Sequence, residues 1–512
     1  MTGWLAGRLG LLGGAVGVAL SFPAASIFPL AWVCLIPLQL RILQSGGLAP
    51  VVRGHLLFFI SSFSLVLYWI PGVMIDHGGL HFIPAVAIFF LLVGVMSVLM
   101  LPFSILTWLI ARACGGGAAL VAAPALWTVC ELFRGHFVEG GFPWGSLGYS
   151  QYGFFTLLQV ADVGGVYFLS FLVVSGSSAV LLWTVLKRRR AALVYAALIG
   201  LSLLYGTYRL RIWELETDHT HQVALVQPGI DLKGTPSYFR KVYFQQLPEF
   251  YARASRTGAE WVIFPEAPNP FSLQRDSLFQ KHWRTVVAAQ GRPVVLNGTG
   301  RSPQAGVYYN SAFLLDEAGK MVYRYDKRHL VPFGEYLPRG STLLGLSHSL
   351  VREVSQFSRG RSVPEPAQIG HEHFGILICY ESIFPELSRQ AVEAGARFLV
   401  NITNDLWFGD TAAPRQHLQM AAVRAVELRK PLLRIANSGI SARIDSFGRV
   451  QEQLGLFEVN TLSVKFSPNS YRSHFSRFGQ ATIGFIIIVA LLGAFAEAML
   501  SGRKGKASGS LS

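Results

Sequence analysis

The chain has 512 residues, 51% of them hydrophobic and only 14% charged, with a mean hydropathy of +0.40. A soluble globular protein carries about a quarter charged residues, so this composition excludes an ordinary soluble enzyme and points to a membrane protein. The net charge of +15 comes without a compact basic stripe interleaved with aromatics, which argues against a nucleic-acid partner and fits contact with anionic membrane lipids.

A membrane helix needs about 20 mostly apolar residues. Residues 9–40 carry no charge and break near Pro23-Ala24-Ala25-Ser26, predicting a hairpin of two short spans rather than a cleaved signal peptide. Further spans are expected at 55–74, 83–110, 117–133, 164–186, 191–209 and 479–500, about eight helices in all. Before residue 211 the only acids are Asp76, Glu131, Glu139 and Asp162, and beyond 478 the only one is Glu497. The expected division is a seven-helix membrane region at 1–210, a soluble block at 211–478, and a last span with a basic cytoplasmic tail at 479–512. With the N-terminus inside, the inner loops hold Arg8, Arg41, Arg53, Arg112, Lys187 to Arg190, Arg503, Lys504 and Lys506. That asymmetry follows the positive-inside rule and puts 211–478 outside. The outer loop Gly140–Gln151, rich in glycine and aromatics, is expected either to anchor at the interface or to form a lipid-facing wall.

Within 211–478, short apolar runs alternate with helical stretches. Strands are expected at 222–227, 261–265, 294–297, 311–316, 321–325, 374–379, 398–402 and 432–436, with helices at 279–290, 384–394 and 416–428. Such alternation predicts a layered α/β domain. There is no GxGxxG, GxxxxGK[ST] or HExxH, so dinucleotide, P-loop and zincin chemistry find no support, and no cofactor or metal is expected. Asn297 and Asn401 begin Asn-x-Thr triplets that decide nothing alone.

Three polar residues end apolar runs, where a sheet delivers side chains to a site: Glu266 after Trp261–Pro265, Lys327 after Tyr323–Asp326, and Cys379 after Gly375–Ile378. Of the four cysteines, Cys34, Cys114 and Cys130 lie in or beside apolar spans, and only Cys379 lies in the soluble block. A thiol becomes a nucleophile when a base takes its proton or a cation stabilises the thiolate. Glu266 suits the base, and Lys327 suits the neutralisation of a developing oxyanion.

The ordered runs Phe264-Pro265-Glu266, Asp326-Lys327-Arg328-His329-Leu330-Val331-Pro332-Phe333-Gly334-Glu335-Tyr336 and Ile378-Cys379-Tyr380-Glu381 resemble the nitrilase superfamily and its Glu–Lys–Cys triad. Together with Gly141-Phe142-Pro143-Trp144, Asn404–Asp410, Arg434–Gly439 and the flanking spans, the chain resembles the apolipoprotein N-acyltransferase family. The resemblance implies an α-β-β-α sandwich, a bacterial inner-membrane location with a periplasmic catalytic domain, and a monomer. It implies a ping-pong reaction in which Cys379 takes an acyl chain from a phospholipid and passes it to the amine of a diacylated apolipoprotein. By the same resemblance Glu335 assists the triad, Tyr380, Glu381 and Trp407 shape the pocket, and Trp144 belongs to the binding set. Members of the family carry a Trp in the arm after the first strand, whereas 228–246 offers Tyr238, Phe239, Tyr243 and Phe244 and no Trp. A membrane-anchored amidase would use the same triad, but one anchor would suffice for it. A transporter would need ionisable residues within its spans, and the predicted spans hold almost none before Glu497.

Overall fold

The computed structural model describes residues 6–137, 140–211, 220–304, 306–336, 357–360 and 365–508. It divides into two compact units, one within Met1–Pro71, Phe82–Trp213 and Phe478–Ser512, the other within Gly72–His81 and Glu214–Arg477. The expected boundary at 211 adjoins residues 212–219, which lie outside the described residues, as do Glu139 and the last four residues of the expected tail. Residues 72–81, left in the membrane region by the sequence division, group with the α/β unit.

Among the described residues, six helices are long and apolar enough to cross a membrane: Leu48–Val66, Phe82–Cys114, Gly116–His136, Ala161–Thr184, Arg189–Arg211 and Ala481–Leu500. The first expected pair is shorter. Arg8–Ser21 forms one helix, and the next apolar run splits into Phe28–Trp32 and Ile36–Gln44, because Pro29 and Pro37 each start a helical piece instead of continuing one. The helix expected at 55–74 runs Leu48–Val66, with Pro50 in its first turn where no backbone donor is needed, and Ile70–Asp76 is a separate helix.

The expectation of spans nearly free of ionisable groups is corrected. Arg209 pairs with Asp162 at 2.8 Å, both buried, and the Tyr205 hydroxyl lies 2.8 and 2.9 Å from the two carboxylate oxygens. His55 is held between the Ser104 hydroxyl and the Ser97 carbonyl, each at 2.8 Å. Every one of these groups has a partner, as buried polar groups must where water is absent.

The Gly140–Gln151 loop is neither an interface anchor nor a lipid-facing wall, since Trp144 and Tyr149 are each only 2% exposed. Arg134, on Gly116–His136, donates to the carbonyls of Phe142 (2.8 Å) and Trp144 (2.7 Å) and to the Ser146 hydroxyl (3.1 Å). Glu131 on the same helix accepts the Leu147 N–H at 2.7 Å. Two buried ions of the preceding helix thus satisfy the loop backbone and draw its aromatics inward. Gly148 permits that approach, because a Cβ there would lie 2.2 Å from the Val166 carbonyl oxygen.

Among the described residues, the second unit contains two six-stranded sheets. In the first the order is β12 (Asn460–Phe466), β1 (His221–Gln227), β2 (Trp261–Ile263), β3 (Val294–Arg301), β4 (Tyr308–Leu315), β5 (Met321–Asp326). In the second it is β11 (Val450–Gln453), β10 (Ala442–Ile444), β9 (Leu432–Ala436), β8 (Phe398–Thr403), β7 (Glu372–Ile378), β6 (Ala367–Ile369). Each sheet has three parallel strands at its centre, β1–β2–β3 and β7–β8–β9, with antiparallel neighbours outside. The inner faces meet through aromatics: Trp261 stacks on Phe398 at 5.7 Å, and Phe398 meets Phe466 edge-on at 4.8 Å. Helices Leu247–Ser255 and Ser277–Gln290 cover the outer face of the first sheet with Tyr251, Phe279 and Trp283. Pro385–Glu393 and Ala413–Leu428 pack on the second, which completes the nitrilase-like α-β-β-α sandwich. In such sheets the carboxyl ends of parallel strands are where side chains converge on a site.

Candidate active site

Cys379 follows β7 directly and sits at φ +51, in the left-handed region, before the short 3₁₀ turn Cys379–Ile383. Left-handed backbone at a residue other than glycine is held only where its surroundings fix it. Glu381 supplies one clamp. One of its oxygens accepts the Ile378 N–H (2.8 Å) and the Tyr325 hydroxyl (2.8 Å), and the other accepts the N–H groups of Arg328 (2.6 Å) and His329 (3.2 Å). A fully buried carboxylate therefore ties the Cys379 turn to the backbone just past Lys327.

Lys327 follows β5, is 1% exposed, and bonds through its own N–H to the Asn310 carbonyl at 2.8 Å. Its ammonium lies 2.9 Å from Glu335 Oε1 and 3.3 Å from Glu266 Oε1. The Asn310 amide donates to the same two oxygens, at 2.8 Å to Glu335 and 2.7 Å to Glu266. Glu335 Oε2 accepts the Val331 N–H at 2.8 Å, and Glu266 Oε2 accepts the Asn404 N–H at 3.2 Å. Burial alone would favour the neutral amine, but the two carboxylates outweigh it and raise the Lys327 pKa, so it stays a cation.

The same charges act on the thiol. Burial pushes the Cys379 pKa up, the Glu266 carboxylate pushes it further, and Lys327 opposes both without cancelling them. The resting thiol is thus protonated, and a base must take the proton as sulfur attacks. His329, whose ring packs on Phe384, is lowered to about 4, first by burial and then by the charges of Arg359 and Lys327, so it is neutral near pH 7.

Of the other predicted residues, Tyr380 is buried with its ring edge-on to Phe384 at 5.1 Å, and Trp407 is 37% exposed with the His77 ring edge-on to it at 5.1 Å. Trp144 lies in the other unit. Glu266, Lys327, Glu335 and the Glu381 clamp are joined in one region around Cys379. Sequence reasoning missed Asn310 and gave Asn404 no role beyond its place in the Asn404–Asp410 run; both complete the hydrogen bonding of Glu266. A polar side chain inside an apolar β4 was the available signal for Asn310; Asn404 acts through its backbone N–H, a role that its side chain could not announce. Asn297 and Asn401, the two triplet asparagines, are buried with their amides spent on Asn310, Ser311 and Leu377, which removes them as glycan acceptors.

Residues 222–474 match the carbon-nitrogen hydrolase family, and residues 14–179 match the apolipoprotein N-acyltransferase N-terminal domain. An apolipoprotein N-acyltransferase of Geobacter metallireducens is 36% identical over 485 residues, covering 90% of this chain and 89% of that protein. One from Vibrio cholerae is 31% identical over 466 residues, covering 88% and 89%. Among solved structures, an amidase of Nesterenkonia AN1 from the nitrilase superfamily aligns over 53% of this chain and 98% of its own, at 20% identity and a TM-score of 0.40.

Proposed function

This chain belongs to the apolipoprotein N-acyltransferase family, and from that premise we propose that Cys379 carries an acyl chain from a phospholipid to the N-terminal amine of a diacylglyceryl-cysteine lipoprotein. The observation that carries the mechanism is the clamped Lys327 ammonium, shared between Glu266 and Glu335 and acting on the Cys379 thiol. In the first half-reaction Glu266 takes the thiol proton while sulfur attacks the ester carbonyl. Lys327 offsets the charge that develops on the carbonyl oxygen. The C–S bond forms, the ester C–O bond breaks, and the proton passes from Glu266 to the departing lysophospholipid oxygen. In the second, the lipoprotein amine attacks the thioester and gives a proton to Glu266. The C–N bond forms, the C–S bond breaks, and the thiolate is reprotonated. Glu335 holds the ammonium in place, while Glu381, with four donors on its two oxygens, acts on position rather than on substrate. Residues 211–478 form the catalytic domain in this reading, and a monomer suffices.

Incubating the protein with phospholipid and no acceptor is expected to add one acyl mass, released by neutral hydroxylamine as a thioester is. Adding a diacylated lipopeptide with a free amine should move that mass to the peptide. Release to water alone would make the protein a membrane-anchored amidase instead.

The Lys/Arg distribution supports a bacterial inner-membrane protein with its catalytic domain on the periplasmic side. In a background lacking native cysteines, single cysteines near Arg190 and near Gly140 should be labelled from opposite faces. Labelling of both from one face would end that topology.

A further inference from the structure

Beneath the Cys379 turn lies a set of buried polar side chains that the mechanism above does not use. The Cys379 carbonyl oxygen accepts from the Ser382 hydroxyl at 3.0 Å and, at 3.5 Å, from the Asn401 amide, which also reaches the Leu377 carbonyl at 3.2 Å. His417 Nε2 stands 3.0 Å from the Ser382 hydroxyl and 3.2 Å from the Cys379 carbonyl oxygen. On the other side of the ring, His417 Nδ1 is 3.0 Å from Asp405 Oδ1, which also accepts the Thr403 hydroxyl at 3.0 Å. Arg434 donates to Asp405 Oδ2 at 2.6 Å and, through its other terminal nitrogen, to Asn401 Oδ1. The contacts close on themselves, from the Cys379 carbonyl through Ser382, His417, Asp405, Arg434 and Asn401 and back.

Sheet register builds this ring. Asn401 on β8 and Arg434 on β9 are direct partners across parallel strands, and Asp405 follows β8 by two residues. None of the six residues is more than 2% exposed apart from Cys379 itself, at 8%. Burial and the adjacent Arg434 lower His417, and Asp405, though buried, is held well below the usual carboxylate range by Arg434 and His417. Nδ1 faces Asp405 and, at 3.1 Å, the Arg434 guanidinium, while Nε2 faces the Ser382 hydroxyl and the Cys379 carbonyl, so the ring links the buried ion pair to the turn whichever nitrogen carries its proton. The same strand end also aims the Asn404 N–H at Glu266.

We infer that Ser382, His417, Asp405, Arg434 and Asn401 form a positioning network that holds the Cys379 carbonyl and so keeps the nucleophile in its left-handed turn. The inference rests on Cys379 being the nucleophile. These residues touch no reacting atom; they act through the backbone of the one that does. A left-handed non-glycine residue has a lower-energy extended alternative, and the ring of buried hydrogen bonds is what opposes that relaxation. Misplacing a reacting group by about 1 Å can cost about 10²-fold in rate, so the network bears on the chemical step rather than on substrate binding.

The test is single-turnover acylation of the full-length protein by phospholipid in detergent micelles, for wild type, Ser382→Ala, His417→Leu and His417→Gln. The expected result is a loss of about 10- to 100-fold in the acylation rate constant for Ser382→Ala and His417→Leu. The phospholipid concentration at half-saturation should stay unchanged, and His417→Gln, whose amide can still engage Ser382, should recover much of the rate. Ser382→Ala removes a single oxygen, so it reports even where His417→Leu does not fold. Wild-type rates in folded Ser382→Ala overturn the network, as does a shift in half-saturation at constant rate. Equal loss in the Leu and Gln variants, tracking a fall in thermal midpoint, overturns it too. A wild-type protein that forms no adduct on Cys379 instead overturns the nucleophile assignment, and this inference with it.

Discussion

Cys379→Ala is expected to form no acyl adduct, and Cys379→Ser almost none. Deleting a nucleophile that works as one unit with its base costs on the order of 10⁶ in turnover in well-studied hydrolases. The serine variant is the sharper probe because it keeps the shape of the site. Burial and the Glu266 carboxylate already hold the Cys379 thiol above its ordinary pKa, so even sulfur has to surrender a proton to attack. A hydroxyl is far less acidic than a thiol, and the same base would face a much steeper transfer. Mass spectrometry after phospholipid treatment reads the outcome directly. Normal acylation of Cys379→Ser, or an adduct on Cys34, Cys114 or Cys130, would remove Cys379 from the mechanism.

Replacing Lys327 should cost less than removing the nucleophile, but still plainly. Loss of one group that stabilises an oxyanion typically costs about 10²–10³ in rate, which is the drop expected for Lys327→Met. Lys327→Arg should not rescue it. The ammonium is 1% exposed and fitted to carboxylate oxygens at 2.9 and 3.3 Å, and a planar guanidinium fork is larger and spreads its charge. Alkylation by iodoacetamide separates the charges around the thiol. Lys327 lowers the Cys379 pKa, so Lys327→Met should alkylate more slowly than wild type at pH 8. Glu266 raises it, so Glu266→Gln should alkylate faster although acyl transfer is lost. Opposite signs from one assay would show that both charges are felt at sulfur; equal rates in all three proteins would show that neither is.

Glu266, Lys327 and Cys379 each follow a strand, which marked them only singly; it was the resemblance of their surrounding runs to the nitrilase superfamily that joined them into one candidate site. Lys327 and Cys379 close β5 and β7, and Glu266 lies three residues past β2. What holds them was not legible. Asn310 joins Glu266 and Glu335 from β4, His417 reaches the Cys379 turn from a helix 38 residues away, and Glu381, assigned by resemblance to the pocket, ties the Cys379 turn to the backbone past Lys327. Such contacts depend on where the chain returns, which no local period encodes. The strands missed were β6, β10, β11 and β12, short or alternating with polar residues; β12 reads Asn-Thr-Leu-Ser-Val-Lys-Phe and still pairs along all of β1. In the membrane unit the expected spans ran 117–133, 164–186 and 191–209, so Arg134 and Asp162 fell just outside them, and Glu131 and Arg209, though inside, were passed over; all four are buried.

The Arg134 contacts bear on how the membrane unit is made. An arginine inside a membrane helix opposes insertion by about 2.5–3.5 kcal/mol near the bilayer centre and by less toward the ends, and Arg134 sits in the last turn of Gly116–His136. The groups that later surround its guanidinium, the carbonyls of Phe142 and Trp144 and the hydroxyl of Ser146, emerge from the ribosome within about a dozen residues of it. During synthesis the charge can therefore be enclosed by the segment that follows it, before Ala161–Thr184 is complete. The loop serves the arginine as a covalently attached hydration shell, delivered in step with the helix that needs it.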